Sequence, residues 1–295
     1  MRIAVTGTRG QVVTSLLERG PAAGHEVIAV GRPTLDLADP ATVLPTLAAA
    51  RPDAIVSAAA WTAVDKAESD AEAAHAVNAV GAGAVAEAAA KLGVPLVHLS
   101  TDYVFDGTLD RPWREDDPTG PTGVYGATKL AGEQAVLAAH PDSAILRTAW
   151  VYSPFGANFV RTMLRLAETR DALGVVGDQV GNPTSALDIA DGVLRVAANL
   201  AGGNDPAQRG TFHMTAQGEA SWADFARAIF AASAEQGGPT ARVNAITTAD
   251  YPTPATRPAN SRLDCGRIAQ AHGVALPRWQ DALPPVVARL LAAQT

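Results

Sequence analysis

The sequence predicts an α/β protein, a Rossmann-type doubly wound parallel sheet with a smaller carboxyl-terminal substrate-binding lobe. Three observations carry that expectation. A short apolar strand at residues 2–6 (RIAVT) runs into the glycine turn GTRG and then a helix, which is how a βαβ unit opens. Further apolar runs at 26–30, 53–60, 94–99 and 143–148 alternate with helical stretches, the order that builds a parallel sheet. Finally, 295 residues at 47% hydrophobic are enough to bury a large core.

Taken in order, the first turn is a candidate phosphate site. Gly7 and Gly10 let the backbone bend tightly and approach a pyrophosphate, and the helix start (expected over 12–20) points its amides at it. The third small position of such a turn is occupied by Val13, which crowds helix against strand without removing the amides. After the second strand comes Gly31-Arg32 rather than a carboxylate. An acid there grips the ribose hydroxyl of NAD, whereas Arg32 suits the 2′-phosphate of NADP, with Arg9 reaching the same group from the turn. Asp36, a little later, is a candidate for the adenine side, and a solvated loop charge is the plain alternative for Arg32. The third strand ends in small residues that leave room for a cofactor, and WTAVDKAE is expected as loop. Residues 71–92 form one long Ala-rich helix stopped by Gly93, with Asn78 either a site residue or an ordinary polar helix position.

The fourth strand leads to Thr101, at the sheet edge where open α/β sheets bind ligands. Tyr125 and Lys129 stand four apart in a helical pattern, so they share one face and can act on one substrate atom. This trio suits reduction of a carbonyl or oxidation of an alcohol. Charge appearing on oxygen needs a proton donor, Tyr125, and a hydrogen bond set in advance, from Thr101. The Lys129 ammonium favours the phenolate and draws the phenol's pKa toward neutrality. The chain holds only three lysines among 23 basic residues, yet this position is Lys, whose proton is exchangeable where that of Arg is not. Residues 107–122 form a loop, and the strand at 143–148 exits at Trp150, a core aromatic or a wall for a base or sugar. Residues 1–152 are expected to be mainly dinucleotide-binding and 153–295 mainly a substrate lobe, with chain crossings between them.

A net charge of −7 without a Lys/Arg run argues against nucleic acid or an anionic membrane as partner. The single Cys265 allows no internal disulfide and has no metal-spaced neighbours, so no metal site is expected. No window reaches membrane-spanning length and no targeting segment is evident, so a cytoplasmic setting is expected.

At AAAWTAVDKAE (58–68), STDYVFDG (100–107), RTAWVY (147–152), GDQVGNPT (177–184) and RPANSRLD (257–264), together with the trio, the sequence resembles the extended short-chain dehydrogenase/reductases and, within them, the dTDP-4-dehydrorhamnose reductases. The resemblance runs nearly end to end. It implies NADPH- or NADH-dependent reduction of the 4-keto group of dTDP-4-dehydro-β-L-rhamnose to dTDP-L-rhamnose, a step of dTDP-rhamnose biosynthesis. It further implies cofactor contacts at Gly10, Gln11, Val12, Asp36, Leu37, Ala60, Trp61, Thr62 and Leu99, beside Tyr125 and Lys129. Substrate contacts are implied at Thr101, Asp102 and Trp150, and Arg257 is expected at the substrate diphosphate. Related dehydratases carry Asp-Glu after the threonine, and here Asp102-Tyr103 disfavours dehydration. The position matched to a Mg²⁺-bridging glutamate of some members is Ser15, so a monomer or a metal-independent homodimer is expected. An epimerase or reductase of another nucleotide sugar, and a non-catalytic NADP-binding regulatory subunit, remain the alternatives.

Overall fold

The computed structural model describes residues 1–293. Its elements in chain order are β1 (Arg2–Thr6), α1 (Gln11–Ala22), β2 (Glu26–Val30), α2 (Val43–Ala50), β3 (Ala54–Ser57), α3 (Val64–Ala67), α4 (Ala71–His75), α5 (Ala82–Leu92), β4 (Leu96–Thr101), α6 (Val124–Ala139) and β5 (Ser143–Thr148). There follow β6 (Val151–Tyr152), α7 (Phe159–Ala167), β7 (Ala172–Val176), β8 (Val180–Gly181), β9 (Thr184–Ser185), α8 (Ala186–Gly202), β10 (Gly210–His213), β11 (Ala220–Ser221), α9 (Trp222–Ala234), β12 (Arg242–Ile246), α10 (Gly266–His272) and α11 (Trp279–Ala292).

The expected parallel sheet is present, six strands in the order β2-β1-β3-β4-β5-β10. Every residue of β3, β4 and β5 is buried, because helices cover both faces; hence these strands do not alternate apolar with solvated polar residues, and polar ones they carry, His98, Ser100 and Arg147 among them, are buried and hydrogen-bonded. The chain winds outward from β1 in both directions, which opens a crevice at the carboxyl ends of β1 and β3.

Two cores flank the sheet. On one face α2 and α5 pack through Leu47, Val85 and Ala89 against Ile55 and Ile145; on the other, α1 and α8 pack through Leu16, Ile189, Val193 and Ala197 against Ile3, Val56 and Val97. Residues 186–213 thus return to the first sheet, supplying α8 and the edge strand β10, so no single cut in the chain separates the two halves. The second lobe has its own core, where Tyr152, Leu164, Phe225, Ile229 and Val287 join α7, α9 and α11.

Some local features differ from expectation for packing reasons. Helix α1 continues past Gly20 to Ala22, since Gly20 lies against Val27 and serves close approach rather than termination. Residues 64–67 make one helical turn where loop was expected. The stretch 71–92 is helical throughout but passes through a π segment at Ala76–Gly81. There the Asn78 carbonyl meets Gly132 of α6, and Gly81 sits where an added Cβ would lie 2.5 Å from the Leu37 carbonyl oxygen. Backbone pressed this closely from two sides is accommodated by one wide turn.

Candidate active site

Three elements bring the trio together. Thr101 ends β4, and Tyr125 and Lys129 lie one turn apart near the start of α6, all lining one cleft of about 630 Å³ at the crevice. The Thr101 hydroxyl donates to Asp102 Oδ1 at 3.0 Å and accepts from the Tyr103 backbone amide at 3.2 Å. Burial pushes the Tyr125 phenol well above its ordinary pKa, and a hydrogen bond with Thr101 works against that rise. Burial also draws the Lys129 ammonium down to about 8, with the charge of Glu133 opposing. Lys129 Nζ donates to the Leu99 carbonyl at 2.7 Å and lies 3.5 Å from His98 Nε2. The expected downward pull of Lys129 on the phenol does not emerge: burial, reinforced by the charge of Asp102, sets the direction, and Tyr125 holds its proton.

The phosphate turn fits a dinucleotide. Gly7 has φ +101°, and a Cβ there would lie 3.3 Å from Val13 Cγ2 and 3.4 Å from Ala59 Cβ. Val13 thus fills the space beneath the turn without closing it. Gly10 begins α1 with no side-chain cap and no acid in the first turn, leaving the leading amides for an anion. Arg9, Gln11 and Val12 line the same cleft, as do Ala60, Thr62 and Leu99.

Other expected site residues lie outside the cleft lining. Arg32 is exposed beyond β2. Asp36 is turned into its own loop, where its carboxylate accepts from the Ala38 amide at 3.0 Å, and Leu37 is packed behind it. The Trp61 indole donates to the Ala63 carbonyl at 3.2 Å and carries Lys66 over its ring at 5.5 Å. Arg257 is paired with Asp65 at 2.7 Å and donates to the Tyr103 hydroxyl at 3.4 Å, one residue behind the cleft wall. Asp102 and Trp150 both line the cleft. Burial raises the Asp102 carboxyl to about 6, hydrogen bonds from Ser261 and Thr101 limiting the rise.

Sequence reasoning missed the layer beneath the trio. Glu133, one turn beyond Lys129, accepts from Ser100 Oγ at 2.5 Å and from Arg147 at 2.9 and 2.6 Å, all three buried. The stripe Tyr125, Lys129, Glu133 was the available signal. Asn78 proves to be a clamp. It accepts from the Trp61 amide at 2.8 Å and donates to the Trp61 carbonyl and to Thr128 Oγ1, both at 3.1 Å. The cofactor-side loop is thereby tied to α6.

A family model described as the RmlD substrate binding domain matches residues 1–292. The dTDP-4-dehydrorhamnose reductase of Sinorhizobium fredii is 50% identical over 291 residues, 99% of this chain and 98% of that protein. A crystal structure of a Clostridium acetobutylicum dTDP-4-dehydrorhamnose reductase superposes with a TM-score of 0.91 at 37% identity, covering 99% of this chain and 100% of that one. The Bacillus anthracis dTDP-4-dehydrorhamnose reductase, solved in complex with NADP, gives 0.89 at 32% identity, covering 97% and 98%.

Proposed function

The chain belongs to the RmlD substrate binding domain family, and we propose that it is an oxidoreductase reducing the 4-keto group of dTDP-4-dehydro-β-L-rhamnose to dTDP-L-rhamnose with NADPH. The convergence of Thr101, Tyr125 and Lys129 in the cleft that also holds the Gly7–Gly10 turn carries this reading. NADPH, when bound, supplies the hydride. Gly7, Arg9, Gly10, Gln11 and Val12 hold its phosphates, Ala60, Thr62 and Leu99 enclose it, and Lys129 holds its ribose with the Tyr125 ring packed beside it. Tyr125 gives its proton to the substrate oxygen while Thr101 turns its own proton from Asp102 Oδ1 to donate a hydrogen bond to that oxygen as charge develops. Lys129 keeps positive charge beside the reacting oxygen, and Asp102 and Trp150 orient the sugar. Arg257, reached through Tyr103, meets the diphosphate after exchanging its partner Asp65. Ser15, where some members carry a Mg²⁺-bridging glutamate, has no carboxylate to offer a metal, and on that ground a monomer or a metal-independent homodimer is proposed.

The direct test is NADPH consumption with dTDP-4-dehydrorhamnose, using the corresponding GDP-keto-sugar as control. Turnover of the dTDP substrate alone is expected; turnover of only the GDP sugar, or of neither, refutes the assignment. Cofactor preference is attributed to Arg32 and Arg9. Arg32→Ala is expected to raise the KM for NADPH about tenfold, less where solvent screens the pair, and to leave that for NADH nearly unchanged. Parallel losses for both cofactors would remove Arg32 from this role.

A further inference from the structure

Trp150, in the expected substrate wall, has an unusual backbone. Its φ is +49°, in the left-handed region that a bulky side chain rarely adopts without support from its surroundings. Support comes from the other lobe. The Trp222 indole at the start of α9 stacks on that of Trp150 with ring centroids 3.6 Å apart and planes within 7°. Gly181 closes from another element: an added Cβ there would lie 2.5 Å from Trp150 Cε2. The Trp150 carbonyl is fixed as well, accepting from the Thr184 amide at 3.1 Å.

Trp222 is itself well held. Ser221 caps α9, accepting from the Asp224 amide at 3.0 Å, and Phe159 of α7 packs on the Trp222 ring at 4.6 Å. The second lobe thus presents an aromatic plate to the cleft wall, beside the contacts from Gly181 and Thr184.

We propose that Trp222 is a positioning residue for the sugar: by stacking on Trp150 across the junction of the lobes, with Gly181 leaving room for the ring, it fixes the wall against which the keto-sugar is aligned. This rests on the functional reading above. The phosphate turn and the ribose-facing groups lie on other elements, so cofactor affinity should be insensitive to the stack.

Three variants test this: Trp222→Leu removes the plate, Trp222→Phe keeps an aromatic face, and Gly181→Ala displaces the Trp150 ring without touching Trp222. For each, KM and kcat for dTDP-4-dehydrorhamnose are measured together with NADPH affinity by titration and the coupled-indole band in circular dichroism. Trp222→Leu and Gly181→Ala are expected to raise the keto-sugar KM by roughly 3- to 10-fold. Trp222→Phe is expected to recover most of that loss, and NADPH affinity to stay within about twofold of wild type, confirming an intact fold. The indole band should vanish in both Trp222 variants. Loss of the band with an unchanged keto-sugar KM overturns the proposal, as does an equal loss of NADPH affinity. A wild-type enzyme that does not turn over the keto-sugar overturns the functional reading and this inference with it, whereas active wild type with indifferent variants overturns the inference alone.

Discussion

Desolvation in the cleft raises the Tyr125 phenol, so it keeps its proton at neutral pH, the state a donor to a nascent alkoxide requires. Tyr125→Phe keeps the ring that meets Tyr103 edge-on at 5.5 Å, so fold and NADPH affinity should survive while kcat falls about 10²–10⁴-fold. Retention of more than about a tenth of wild-type turnover would mean that another group supplies the proton. Asp102 gives a pH-dependent signature. Its folded pKa, about 6, lies above the ordinary carboxyl value of 3.8, so the fold binds its proton more tightly than the unfolded chain does. The stabilisation is complete below the unfolded pKa and is lost as pH rises through about 6. Relative to Asp102→Asn, the wild type should gain about 2–3 kcal/mol of stability between pH 7 and pH 4 in urea titrations. A difference that stays flat across that range would contradict the burial argument. Of these residues, the trio was legible from spacing, because helical periodicity places Tyr125 and Lys129 on one face. The positions of Arg257 and Asp36 were not legible, since a charged side chain's partner is chosen by tertiary proximity: Arg257 found Asp65, distant in sequence.

Helix α6 joins chemistry to scaffold. One stripe carries Tyr125, Lys129 and Glu133, while Gly126 and Gly132 let the helix approach the carbonyls of Tyr103 and Asn78. The Glu133–Arg147 pair pins this helix to β5, and Ser100 pins it to β4, the strand that ends in Thr101. Glu133→Gln leaves a buried guanidinium without its counter-charge and should lower stability by about 3 kcal/mol. It should also shift the alkaline limb of kcat downward, because the charge that supports the Lys129 ammonium is gone. Loss of less than about 1 kcal/mol, with an unmoved alkaline limb, would show the pair to be passive. Strands β3, β4 and β5 were readable as apolar runs, whereas the π segment was not. It arises from backbone pressing on backbone at glycines, which leaves no periodic trace among side chains.

At the scale of the molecule, a chain of net charge −7 carries a cleft lined by the Gly7–Gly10 turn, Arg9 and a few buried polar groups, which is where an anionic ligand would be favoured under the proposed function. The doubly wound sheet was legible because strand-length apolar stretches alternate with helical ones from β1 to β5. The return of α8 and β10 to that sheet was not, since β10 is four residues long and its partner β5 lies more than sixty positions earlier. The central claim is that hydride reaches the sugar carbon in this cleft while the proton on its oxygen comes from Tyr125. It is tested most directly by running the reaction with NADPH deuterated at its reducing position and reading the product by NMR. The account predicts dTDP-L-rhamnose with one deuterium on the carbon that bore the keto oxygen, formed by wild type and lost in proportion to kcat in Tyr125→Phe. A product with no deuterium at that carbon, or the same yield from Tyr125→Phe under initial-rate conditions, would contradict it.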